Sequence, residues 1–352
     1  MVTKSSTKWP LMLACSLLVV SAARAAVEVV DSSYSNGVIS WEYPTNDVLQ
    51  YQIEWTTDPS SSNWHDLGYG LAPTGEAMNV SAPQFFRVGI RPIPTNMVLI
   101  RAGTNSGTDP DFGAYSITTE CFCVDQYEVS KALWQSVYSW ATANGYGFDN
   151  SGSGKATNHP VQDVNWYDCV KWCNARSQQE GREPAYYTDS GFTQVYKSGQ
   201  VAEPYVKSSA NGYRLPTTEQ WQYAARGGEA SRRFPWGATI QHARANYRSD
   251  EYTYSYDTSP TYKYHPAYTN GGVPYTSPVG SFAPNGYELY DMVGNVQEWC
   301  YDWHTNYVGT GRLIHGGSWY TYADTCRIAH ESTEFIWNDT GYTGFRTVLP
   351  VD

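Results

Sequence analysis

From Phe234 to Asp352 the chain never settles into a helical period. Short apolar runs alternate there with Gly, Pro, Asn and Asp, the residues that set turns. So long a stretch without helices has to be held by large side chains packed between turns. The chain carries them: 30 Tyr and 14 Trp, against 16 % charged residues. The expected class for this part is α+β with little regular secondary structure.

Three short helices precede it. "SKALWQSVYSWATANG" places Leu133, Trp134, Val137, Tyr138 and Ala141 at helical spacing, with Ser130 as N-cap and Gly145 past the end. "NWYDCVKWCNARSQQEG" repeats the logic, with Asn165 as cap, Trp166, Cys169, Val170 and Cys173 on one face, and Gly181 as stop. In "PTTEQWQYAARGG", Thr217 and Gln220 fit a capping box and Gly227 a C-cap.

The N-terminal part reads differently. Residues 1–25 have a positive start, a short apolar core and Ala23-Arg24-Ala25, the pattern of a secretory signal peptide, so a secreted or periplasmic location is expected. The apolar run is too short to span a bilayer, so no membrane insertion is expected. Residues 26–93 show runs such as "GVISWEY" and "LQYQIEWTT" separated by turn clusters. They suggest a small all-β sandwich that resembles a fibronectin type III module. Residues 94–352 form the second domain. Net charge is −11, and losing Lys4, Lys8 and Arg24 with the leader makes it more negative. Nucleic acid, which needs a basic surface, is excluded as a partner. Six cysteines remain after cleavage (Cys121, Cys123, Cys169, Cys173, Cys300 and Cys326), and an even count in an exported chain makes disulfides the expectation.

The segments "MVLIRAG", "VDQYEVSKALW", "HPVQDVNWYDCVKWCNARS", "NGYRLPTTEQWQYAARGG", "FPWG", "TSPVGSFAPNGYELYDMVGNVQEW", "HGGSW" and "GFRTV", in that order, resemble the sulfatase-modifying factor family of the formylglycine-generating enzyme. The resemblance implies a single compact domain related to the C-type lectin fold. It implies calcium at Asp291, Gly294, Val296 and Glu298, and a second calcium at Asn246, Tyr247 and Val273 whose carboxylate position is lost. Hard cations take such oxygen sets. It also implies a copper(I) site of two thiolates. Cys326 falls on the second of these, the candidate catalytic residue, and Thr321 on the first, where a hydroxyl is a poor ligand for a soft ion. Ser318, Trp319 and His330 are the candidate substrate-binding residues. In "YELYDM" Glu288 replaces the family's usual glycine.

Two functions follow as expectations. One is an oxidoreductase acting on a peptide, protein or small thiol. The other is a non-catalytic protein using the lectin-related fold to bind a protein or glycan. Ser318 as a hydrolytic nucleophile is disfavoured, because no base is oriented on it and the strained elbow of serine hydrolases is absent.

Overall fold

Helix α1 (Lys131–Ala143) and helix α2 (Trp166–Gln179) lie against each other, and an aromatic seam joins them. Trp134 and Trp172 stack with ring centroids 5.8 Å apart, and Trp172 Nε1 donates to the Trp134 carbonyl at 3.2 Å. Phe345 meets both rings edge-on. Truncating a fully buried tryptophan of this kind costs about 3–5 kcal/mol. Caps set the ends of these helices: Ser130 and Asn165 each accept from the backbone N–H three residues on. Helix α3 (Thr218–Arg226) has the full Thr217/Gln220 capping box and ends on Gly227 at φ 59°.

The single apolar face expected for α2 understates its burial. Trp166 through Ser177 are all buried, including Asp168, Lys171, Asn174 and Arg176. Their polar groups are compensated locally. Lys171 pairs with Asp168 at 3.5 Å, and Arg176 pairs with Asp125 at 3.0 Å. Asn174 bonds the backbone of Tyr186 and Tyr196.

The computed structural model describes residues 85–351 continuously, with side chains from Ile93 onward. Before them it describes five strands, by backbone alone: Ser32–Ser35, Val38–Trp41, Leu49–Thr56, His65–Gly70 and Met78–Asn79. With Phe85–Pro92 these make two three-stranded antiparallel sheets. The expected signal peptide lies outside the described residues. Among the described residues no helix is long and apolar enough to cross a membrane.

The larger domain closes on itself. Strand Phe122–Asp125 pairs antiparallel with Met97–Ile100 on one side and with Val348–Pro350 on the other. A hairpin, Gly103–Asp109 with Gly113–Thr119, packs against α3. A four-stranded sheet runs in the order Ser332–Phe335, Gly311–His315, Gln297–Trp303, Thr343–Gly344, the last pair parallel. Between these pieces the chain is turns, as the sequence predicts.

The expected disulfides are absent: all six described cysteines are free thiols. Cys123, Cys169, Cys173, Cys300 and Cys326 are buried, and each is a small apolar filler of the core clusters. Burial pushes these thiols well above their usual range, so they are inert.

Candidate functional site

Strand Gly311–His315 runs into Gly316 and Gly317, both with left-handed backbone (φ 89° and 67°). At Gly317 a Cβ atom would stand 2.6 Å from the Cys326 sulfur, so only glycine lets the turn close over that thiol. The turn then delivers Ser318, fully buried, and Trp319, 5 % exposed.

Thr321 stitches this turn. Its hydroxyl accepts from the Ser318 amide at 2.7 Å, and its own hydroxyl and amide reach back to the Ser318 carbonyl at 3.3 and 3.2 Å. Cys326 sits beneath, near the hydroxyls of Thr321 and Thr325 and packed among Phe234, Ile240, Tyr247 and Val293. Burial pushes its thiol well up. Cys326 is thus fully buried, with hydroxyls as its nearest polar company. A copper(I) ion needs two soft thiolates, and this donor set does not fit it.

Trp319 donates from Nε1 to the Gly341 carbonyl at 2.9 Å. Around its ring stand Tyr275, Tyr320 and Tyr264 at 5.2, 5.5 and 5.8 Å between centroids. Tyr320 is exposed and stacks on Tyr342. Ser318 and Trp319 thus come together at an aromatic face. His330 does not join them. Its ring sits against Arg327 and Phe112, and only its backbone carbonyl is used inward, by His315 Nδ1.

The oxygen cluster is more crowded than the sequence suggests. Glu298 is fully buried and grips Arg346 through both oxygens at 2.7 Å, with Trp221 Nε1 also donating at 2.7 Å. Glu128, from "QYEVS", is buried beside it and accepts from Val296 N and Asn295 Nδ2. Asp291 takes the Gly280 amide on Oδ2, while its Oδ1 is buried with no partner. Burial, then the neighbouring charges of Asp291 and Glu298, pushes the Glu128 carboxyl well up. Asp291 is pushed up to about 6, chiefly by burial. Three carboxylates face one guanidinium.

That excess is what a bound cation would relieve, and the calcium donors fit it in part. The free Oδ1 of Asp291 suits a hard cation, and so does Asn246 Oδ1, also buried without a partner. Gly294 (φ 82°) brings the two segments together: it bridges Asn246, and a Cβ there would meet the Asn246 carbonyl at 2.4 Å. Glu298 fits less well, because Arg346 and Trp221 already hold both its oxygens. Val296 is buried in the same turn and lends its amide to Glu128. For the second set, the Tyr247 carbonyl has His242 Nε2 at 3.1 Å. Asn246 Nδ2 donates to the Tyr275 carbonyl at 2.8 Å, and Val273, two residues earlier, is 69 % exposed.

Sequence reasoning missed Glu128, Arg346 and the tyrosines around Trp319. Arg346 is a lone charge between apolar residues in "GFRTV", which was an available signal, whereas Glu128 shares "VDQYEVS" with Asp125 and had none. Tyr264 and Tyr275 lie in a loop with no period to place them.

Comparison with known proteins places this arrangement. Residues 89–351 match the sulfatase-modifying factor enzyme 1-like domain. The chaperone protein LppX of Paenibacillus barcinonensis is 31% identical over 68% of this chain and 83% of its own length. The formylglycine-generating enzyme of Mus musculus is 31% identical over 73% of this chain and 76% of its own. Among solved structures, CarF superposes with a TM-score of 0.59 at 26% identity, covering 74% of this chain and 99% of CarF. An α+β domain of this fold, matched from its first strand to its last, makes the chain a member of the sulfatase-modifying factor family.

Proposed function

We propose that this chain is an exported, non-oxidising member of the family that uses the aromatic face around Ser318 and Trp319 to bind a peptide segment of another protein. One observation carries the reading: Cys326 is fully buried with the Thr321 and Thr325 hydroxyls as its polar neighbours, a donor set that suits a soft copper(I) ion poorly. Exposed Tyr320 stacked on Tyr342, beside Trp319, offers the flat rings that peptide recognition favours. The similarity to a relative named as a chaperone supports a protein client over a small substrate. Calcium at Asp291, Gly294, Val296 and Glu298 belongs to the same proposal, as an ion that neutralises the carboxylate excess and stiffens that turn.

The test incubates the full chain in air with a library of cysteine-containing peptides, then weighs what is captured. Captured peptides should return with unchanged mass, and Tyr320→Ala should lose them. Recovery of peptides whose cysteine has been oxidised would overturn the reading.

A further inference from the structure

Arg248 stands apart from the other arginines near this face. In a chain with 34 acidic and 23 basic side chains, most buried or half-buried arginines find a carboxylate. Arg176 takes Asp125, Arg226 faces Asp109, Arg233 and Arg327 share Asp111, and Arg346 takes Glu298. Arg312 lacks one, yet it donates to the carbonyls of Tyr301 and Ala202. Arg248 has neither: among the described residues no carboxylate comes within ion-pair distance and no carbonyl accepts from it, and its buried Nε, like those of Arg226 and Arg312, has no partner. Neighbouring Glu251 also has a buried oxygen without a partner, and no ion pair joins the two.

Its position gives this meaning. The guanidinium lies 4.5 Å from the Tyr322 ring and 5.5 Å from the Tyr264 ring. Tyr264 in turn packs on Trp319 and on Tyr275, 4.9 Å away. Lys155 also stands against Tyr275, 5.9 Å from that ring, its ammonium bonded to the Tyr268 carbonyl and, among the described residues, to no acid. Two cations without acidic partners among the described residues therefore stand against one run of rings in an otherwise acidic protein. A half-desolvated guanidinium with unused donors carries a penalty that a bound carboxylate removes, and the planar fork suits that group.

We infer that the aromatic face around Trp319 takes acidic peptides, with Arg248 as the residue that receives a ligand carboxylate and Lys155 as a weaker second anchor. The inference rests on the peptide-binding reading above and adds the chemical class of the peptide. Lysines and arginines in a peptide would be rejected at the same place, which makes Arg248 a specificity-determining residue.

The experiment measures fluorescence anisotropy of two labelled decapeptides, one alternating Glu and Tyr, the other with Gln in place of Glu, on the full chain at low salt. The Glu peptide should bind at least tenfold more tightly. Arg248→Met should bring the two to within about threefold, Arg248→Lys should fall between, and Lys155→Met should cost less than Arg248→Met. Arg232→Met, in the exposed pair with Glu229, should change nothing, and Glu251→Gln should not weaken the Glu peptide. Equal binding of both peptides, binding of neither, or a tenfold gap that survives Arg248→Met would overturn the carboxylate anchor. If Tyr320→Ala abolishes both peptides while the gap survives Arg248→Met, the face stands and the anchor falls. If Tyr320→Ala alters neither peptide, the location of the face falls with it.

Discussion

Arg346 closes on Glu298 with a parallel pair of hydrogen bonds, Nε to Oε2 and Nη2 to Oε1, each 2.7 Å long and wholly out of solvent. The same guanidinium caps the carbonyls of Asp125 and Tyr290, so one side chain ties together the closing strand, the four-stranded sheet and the turn carrying Asp291. Arg346→Met leaves the buried Glu298 carboxylate without its counter-charge, beside the carboxyls of Glu128 and Asp291. It is expected to cost about 3–5 kcal/mol in urea unfolding, or to prevent folding. A loss under 1 kcal/mol would mean that the carboxylates are neutralised by something else.

Reactivity of the cysteines separates the free-thiol core from a disulfide framework. In the native protein only Cys121, half-buried and accepting from the Ala102 amide, is expected to react with a thiol reagent. After unfolding without reductant, Cys121, Cys123, Cys169, Cys173, Cys300 and Cys326 should all react. Any pair that stays blocked would restore a disulfide.

His315 is fully buried and stacks on Trp221 with centroids 4.8 Å apart. Burial depresses its pKa from 6.5 to about 3. The unfolded chain therefore binds a proton that the folded chain refuses between those values, and stability falls as pH drops through that window. At about 1.4 kcal/mol per pH unit, roughly 2 kcal/mol is lost between pH 6.5 and pH 5. His315→Gln should remove that part of the slope, measured by urea unfolding across a pH series. An unchanged slope would assign the acid sensitivity elsewhere.

Glu288 has left-handed backbone, at φ 60°, the region that favours glycine, and its side chain is exposed. A non-glycine residue there costs about 1–2 kcal/mol, partly offset by the unfolded-state entropy of glycine. Glu288→Gly should raise stability by about 0.5–1 kcal/mol in thermal unfolding. A destabilised variant would show that the Glu288 side chain contributes to the fold.

Local rules made some of this legible and long-range ones hid the rest. Ser130, Asn165, Thr217, Gln220 and Gly227 mark their helix ends because a cap depends on neighbours three or four residues away. The burial of Asp168, Lys171 and Asn174 could not be read, since it depends on partners such as Asn150 and Tyr196 whose positions the turns decide. The same holds for the site. Ser318, Trp319, Asp291 and Glu298 stand out in the motifs, and Ser318 and Trp319 do share a face. His330 belongs to the same stretch, eleven residues after Trp319, yet the turn after Cys326 carries it to Arg327 and Phe112. The pairing of Glu298 with Arg346, 48 residues on, has no local signature.

The measurement closest to the central claim is a copper(I) titration, under a competing chelator, of the natural chain and of Thr321→Cys. The Thr321 hydroxyl is among the polar groups that act on the Cys326 sulfur, so a thiol there is the substitution that would supply a second soft donor. The account expects no tight copper(I) binding and no oxygen uptake with a cysteine-containing peptide in the natural chain, and a gain of at least a hundredfold in copper(I) affinity, about 2.7 kcal/mol, in Thr321→Cys. Tight binding with peptide oxidation by the natural chain would contradict it.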